Sequence, residues 1–122
     1  MGGGTVDIQD RTLEFGVRVF RFAESLPKTQ SAIVLMRQLI RSGTSVGANM
    51  EEADGAASKK DFVNKVVIAR KEARETRYWL SLIKQAKILV NVNSLEELEN
   101  LMAESYELMK ILSAIANKAR GL

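Results

Sequence analysis

The chain has 122 residues, of which 46% are apolar and 27% charged, a composition that suits one globular domain rather than a disordered chain. It contains no cysteine and no histidine, which excludes disulfides, thiolate nucleophiles, imidazole-ligated metals and histidine-based catalysis. Its 18 Lys and Arg against 15 Asp and Glu leave a net charge of +3, yet residues 58–89 alone carry an excess of six positive charges, a local basic surface that suits a polyanion.

The N-terminal Met1-Gly2-Gly3-Gly4-Thr5-Val6 lacks the basic and apolar regions of an export signal. It also has Val6 where a myristoylation site has Ser or Thr. Residues 1–9 therefore read as a flexible tail. With no apolar run of about 18 residues, no membrane span is expected, and the cytoplasm is the expected compartment.

A first helix is expected over residues 10–25, with Asp10 as its N-cap. Leu13, Val17, Phe20 and Ala23 or Glu24 fall at helical spacing as its core stripe, widened by Phe15 and Phe22. Leu26-Pro27-Lys28 ends it, because proline disfavours helical geometry in the residue before it. A second helix is expected over 31–53. Its seam of Leu35, Leu39, Ser42, Val46, Asn49 and Ala53 has the alternating four-and-three spacing of a bundle. Gly43 and Gly47 weaken it by roughly 1 kcal/mol each, and a break near Gly43 is the competing reading. Close packing of small residues against a neighbouring backbone favours an unbroken helix.

Asp54-Gly55-Ala56-Ala57-Ser58 reads as a turn, with Ser58 capping a third helix over 58–89. Phe62, Val66, Ala69, Ala73, Thr76, Leu80 and Ile83 form the most regular seam in the chain. Ser94, with Glu97 three residues on, is expected to cap a fourth helix over 94–119. Its seam is Leu98, Met102, Ser105, Met109, Leu112, Ala116 and Ala119, flanked by Leu101, Leu108 and Ile115, and Gly121 stops it. The pattern predicts an all-α fold: one up-down-up-down antiparallel four-helix bundle domain over residues 10–122. Reflecting the second helix about Ala56 sets Val46 level with Val66, Ser42 with Arg70 and Arg37 with Glu75.

On the third helix Arg70, Arg74, Arg77, Lys84 and Lys59 share one side, while Asp61, Glu72 and Glu75 lie on another. Like charges one turn apart repel, so a partner off the helix is implied. Carboxylates of a neighbouring helix would serve, and so would a phosphate backbone, which arginine grips with two-pronged contacts. The candidate nucleic-acid contacts are Arg70, Arg74, Arg77 and Lys84, with Lys59 and Lys60 next. Tyr78 and Trp79 read as packing residues rather than base-stacking ones. Glu51, Glu52 and Asp54 read as cross-helix ion-pair partners, since a carboxylate-bridged metal bundle also needs histidine. Asn49 reads as a buried amide that fixes register, and Gly43 and Gly47 as close-packing sites. No Walker loop or GxGxxG motif is present, and no side chain offers a general base near neutral pH. The expectation is a protein that is not an enzyme and has no cofactor and no metal.

Three stretches carry a resemblance. Arg41-Ser42-Gly43-Thr44-Ser45-Val46-Gly47-Ala48-Asn49-Met50-Glu51-Glu52-Ala53 precedes Ser58-Lys59-Lys60-Asp61-Phe62, and Ala69-Arg70-Lys71-Glu72-Ala73-Arg74-Glu75-Thr76-Arg77-Tyr78-Trp79-Leu80 follows. Together they resemble the bacterial four helix bundle protein family, first noted as open reading frames in intervening sequences of large-subunit ribosomal RNA genes. Many members carry Asn-Ile-Ala-Glu-Gly where this chain has Asn49-Met50-Glu51-Glu52-Ala53. The resemblance spans about residues 10–118 and implies a ring-like homopentamer. A related branch, the accessory protein of diversity-generating retroelements, is a basic pentameric barrel that binds nucleic acid and works with a reverse transcriptase. RNA or DNA, further copies of the chain and a reverse transcriptase or other protein are the partners so implied.

The reading is a non-catalytic oligomeric scaffold that binds RNA or DNA through a basic helix face. The alternative is a structural or adaptor protein that binds another protein, its basic row consumed by internal salt bridges. Apolar residues outside the seams, among them Phe15, Phe22, Ile68, Trp79, Leu82 and Tyr106, favour self-association.

Overall fold

The computed structural model describes residues 7–122 as four antiparallel helices: α1 (Ile8–Glu24), α2 (Gln30–Asp54), α3 (Lys59–Ala86) and α4 (Val92–Arg120). Each begins at a side chain that satisfies an otherwise unpaired amide. Asp7, not Asp10, caps α1, its carboxylate accepting from the Gln9 amide at 3.0 Å. Residues 7–9 therefore belong to the helical unit, and residues 1–6 of the expected tail lie outside the described residues. Thr29 caps α2 and Ser58 caps α3, accepting from the amides of Ala32 and Asp61 at 3.2 and 3.0 Å. α3 stops at Ala86 rather than Leu89, because Lys87 turns left-handed at φ 56°. Asn91, not Ser94, caps α4, accepting from Asn93 and Ser94. Glu97, expected in the fourth helix's cap, instead reaches Arg18 on α1. Gly121 ends α4 at φ 80°, a conformation that costs glycine little.

The α3 seam faces the core as its spacing predicts: Val66, Ala69, Ala73, Thr76, Leu80 and Ile83 are fully buried, and Phe62 is partly so. α1 departs from expectation. Phe15, Val19, Phe22 and Ala23 turn inward, whereas Leu13, Val17 and Phe20 are 64%, 41% and 45% exposed. This helix has two apolar stripes roughly 140° apart at 100° per residue, and periodicity alone does not say which is inside. Packing against α2 decides it.

α2 runs unbroken through both of its interior glycines. A Cβ on Gly43 would lie 2.5 Å from a Val19 methyl carbon, and one on Gly47 would lie 3.1 Å from the Thr12 carbonyl oxygen. The inward stripe of α1 is the one that fits over these small residues. Asn49 does not fix register across helices. It is half-buried, its amide donates to the Ser45 carbonyl of its own helix at 2.8 Å, and Met50 takes the buried position.

The register of α2 on α3 also differs from the reflection about Ala56. Ser42 meets Thr76, not Arg70, their hydroxyl oxygens 2.9 Å apart, and Arg41, not Arg37, reaches Glu75. The turn carries the chain past the end of α2 before it reverses, shifting α3 by about 7 Å, five residues of helical rise. The Thr76 hydroxyl also lies 2.8 Å from the Glu72 carbonyl, and every buried polar side-chain atom among the described residues has a partner.

α1 and α4 are joined by two-pronged ion pairs, Arg11 with Glu104 at 2.7 and 2.8 Å and Arg18 with Glu97 at 3.1 and 3.2 Å. Among the described residues no helix is long and apolar enough to cross a membrane.

The α1–α2 approach has a measurable consequence. Gly43→Ala gains about 1 kcal/mol of helix propensity, but overpacking against Val19 costs about 1–3 kcal/mol. A net loss in urea unfolding is expected. In a Val19→Ala background the same change should be neutral or stabilising, because its obstacle is gone. An equal loss in both backgrounds would contradict the packing described.

Candidate nucleic-acid interface

α3 lies between α2 and α4, and its charged residues divide accordingly. Glu72 and Glu75 turn toward α2, where Arg41 pairs with both, with Glu72 at 3.3 Å. The Trp79 indole donates to the Glu75 carboxylate at 3.0 Å. That hydrogen bond, with the Arg41 guanidinium beside it, holds the Glu75 carboxyl below its usual range, so the cluster is charged at neutral pH. Trp79 packs against the core edge, and the exposed Tyr78 ring stands edge-on to it at 5.1 Å. Both central acids of α3 are thus taken up on the side away from its arginines.

The arginines turn toward α4. Arg70 is half-buried, its Nη1 donating to the Ser113 hydroxyl at 3.4 Å. Arg74 and Arg77 are exposed, and among the described residues no carboxylate lies within 4.0 Å of any of the three. Arg77 stands over the Tyr106 ring, 5.6 Å from its centre, and the Lys110 ammonium lies 5.1 Å from the same point. Lys110 is held by Glu107 at 3.0 Å, whose hydrogen bond raises the ammonium's pKa. Between α3 and α4 runs an open groove of about 500 Å³, bordered by Arg70, Arg74, Tyr106, Lys110, Ser113 and Asn117.

The remaining basic candidates fall elsewhere. Lys84 pairs with Glu99 of α4 at 2.6 Å, so the predicted row is shortened at that end. Lys59 and Lys60 are exposed at the opposite end of α3, bordering a separate cleft with Arg120, roughly 16 Å along the helix from Arg70. Among the acids after Gly47, Glu52 pairs with Lys65 across the turn at 2.8 Å, as a cross-helix partner should.

The α4 side of the groove escaped the reading of the sequence. Its signal was present: Tyr106, Lys110, Ser113 and Asn117 repeat at four-three-four spacing, a second stripe beside the core seam. A reflection of α3 onto α4 about Asn91 and Val92 brings Arg70 to Ser113, Arg77 to Tyr106 and Lys84 to Glu99, three contacts with one register.

Comparison with known proteins agrees with this architecture. The family model described as 23S rRNA-intervening sequence protein matches residues 5–114. A solved structure from Bacteroides thetaiotaomicron, described as a protein with unknown function from the S23 ribosomal protein family, is similar at a TM-score of 0.80 and 40% identity. That match covers 90% of this chain and 98% of the other. No curated protein matches the chain.

Proposed function

From the premise that the chain belongs to the 23S rRNA-intervening sequence protein family, we propose that it is a non-catalytic scaffold that binds RNA or DNA through the arginine side of α3. It works in the cytoplasm, without a cofactor. The observation that carries this reading is the separation of charge on α3. Arg70 and Arg74 border an open groove, Arg77 stands over Tyr106 beside it, and among the described residues no carboxylate lies within 4.0 Å of any of the three. Guanidinium groups so placed present paired N–H donors to phosphate oxygens. Such contacts position a polynucleotide without reading its sequence. The family description supplies the first RNA to try, an intervening sequence of large-subunit ribosomal RNA. The adaptor reading needs the basic row to be neutralised internally, and among the described residues Lys84 has a carboxylate partner within 4.0 Å while Arg70, Arg74 and Arg77 have none.

A second copy of the chain is the partner for the outward stripe of α1. Leu13, Val17 and Phe20 lie along a groove of about 640 Å³ floored by Gly16, Gly47 and Ala48. Its rim carries both signs, Asp10 and Glu51 with Arg21, which suits a partner surface of mixed charge. That much apolar surface on so small a bundle favours burial in an assembly. The resemblance to pentameric relatives makes five copies the expected number.

Two measurements test these readings. Titration of a labelled RNA or DNA should show affinity falling roughly 20- to 40-fold between about 50 and 200 mM salt if three phosphates are neutralised. The double variant Arg74→Glu, Arg77→Glu should bind roughly tenfold more weakly or worse, with a shallower salt slope. Unchanged binding by that variant, or a flat salt response, removes the proposal. In light scattering, the protein should run as a multiple of 13.5 kDa, and Val17→Glu should break the assembly; a wild-type protein found only as monomer refutes self-association.

A further inference from the structure

Tyr106 stands outside the hydrophobic core. The residue is 50% exposed, and its hydroxyl makes no hydrogen bond among the described residues. Yet two cations from different helices, Arg77 and Lys110, converge on that ring. It stands on the groove that also holds Arg70, Arg74, Ser113 and Asn117. The two aromatics near the middle of α3 differ. Trp79 is committed to Glu75 and the core edge, and Tyr78 has its ring against Trp79 with no cation over it among the described residues.

An exposed aromatic face ringed by guanidinium and ammonium groups has the chemistry that an unpaired nucleotide requires. The ring accepts the base by stacking, and the cations accept the flanking phosphates. In a paired duplex each base already has neighbours on both faces, so a protein ring gains nothing there. Resting on the polynucleotide reading above, we infer that Tyr106 is the stacking residue of a site for an unpaired nucleotide. The adjacent phosphates lie on Arg74, Arg77 and Lys110, and the site selects single-stranded or looped segments over continuous duplex. The Arg77 and Lys110 side chains are long and exposed, so they turn from the ring to the phosphates when a base arrives, Lys110 exchanging its Glu107 partner for phosphate. The Ser113 hydroxyl and the Asn117 amide, one and two turns beyond Lys110, offer hydrogen bonds to the edge of the base or its sugar.

The test is fluorescence anisotropy with one mixed sequence of about 12 nucleotides, prepared as single-stranded RNA, single-stranded DNA and duplex RNA, in about 50 mM salt. Tyr106→Leu should weaken single-strand binding roughly tenfold while leaving duplex binding within about twofold. Tyr106→Phe should bind like the wild type, since the ring and not the hydroxyl does the stacking. The single strand that the wild-type protein binds more tightly is the preferred polymer. An abasic strand of equal charge, titrated with the wild-type protein, gives the same answer without any variant and should also bind roughly tenfold more weakly than the intact strand. Equal loss of single-strand and duplex binding in Tyr106→Leu, or an abasic strand bound as tightly as the intact one, overturns the stacking site while the phosphate interface stands. A wild-type protein that binds none of the probes overturns both.

Discussion

α3 is packed on two sides, and that constraint sorts its charges. A central helix that buries one seam has only two lateral strips for polar residues, and here each borders a different neighbour. Arg41 of α2 takes Glu72 and Glu75, with Trp79 adding a hydrogen bond to the second. The strip facing α4 keeps Arg70, Arg74 and Arg77. An acid at Ser81, one turn beyond Arg77 on that strip, would have faced those arginines and neutralised part of the site. The basic surface is therefore a product of packing geometry more than of net charge, which is only +3.

The same geometry explains how much of the fold was legible in the sequence. α3 has one apolar stripe, so spacing and burial agree almost position by position. α1 has two of equal regularity, and the one made by Leu13, Val17 and Phe20 is outside. What chose between them is contact with Gly43 and Gly47 on another helix, which no local pattern in α1 encodes. The caps of α1 and α4 were missed by a few residues for a related reason. Asp7 and Asp10, or Asn91 and Ser94, are both competent caps, and the winner depends on where the chain enters the helix. Glu97 was read as part of a cap, but an arginine from α1 holds it.

The candidate site was half legible. The arginines announced themselves because three cations on one strip of a helix repel one another and need a partner. Their placement toward α4, the loss of Lys84 to Glu99, and the convergence on Tyr106 follow only from the antiparallel register of two helices. Tyr106 read as one of the residues that favour self-association until that register put Arg77 above it. Lys59 and Lys60 looked continuous with the row, but helical rise carries them to a separate cleft beside Arg120.

Arginine Nε–H resonances followed by NMR during a polynucleotide titration test the account most directly, since they report each guanidinium separately. Arg74 and Arg77 should shift with bound strand, while Arg11, Arg18 and Arg41, each engaged by glutamate, stay where they are. Shifts confined to the glutamate-bound set, or none at all at saturating strand, would contradict the claim that the α4-facing strip of α3 is the open cationic surface.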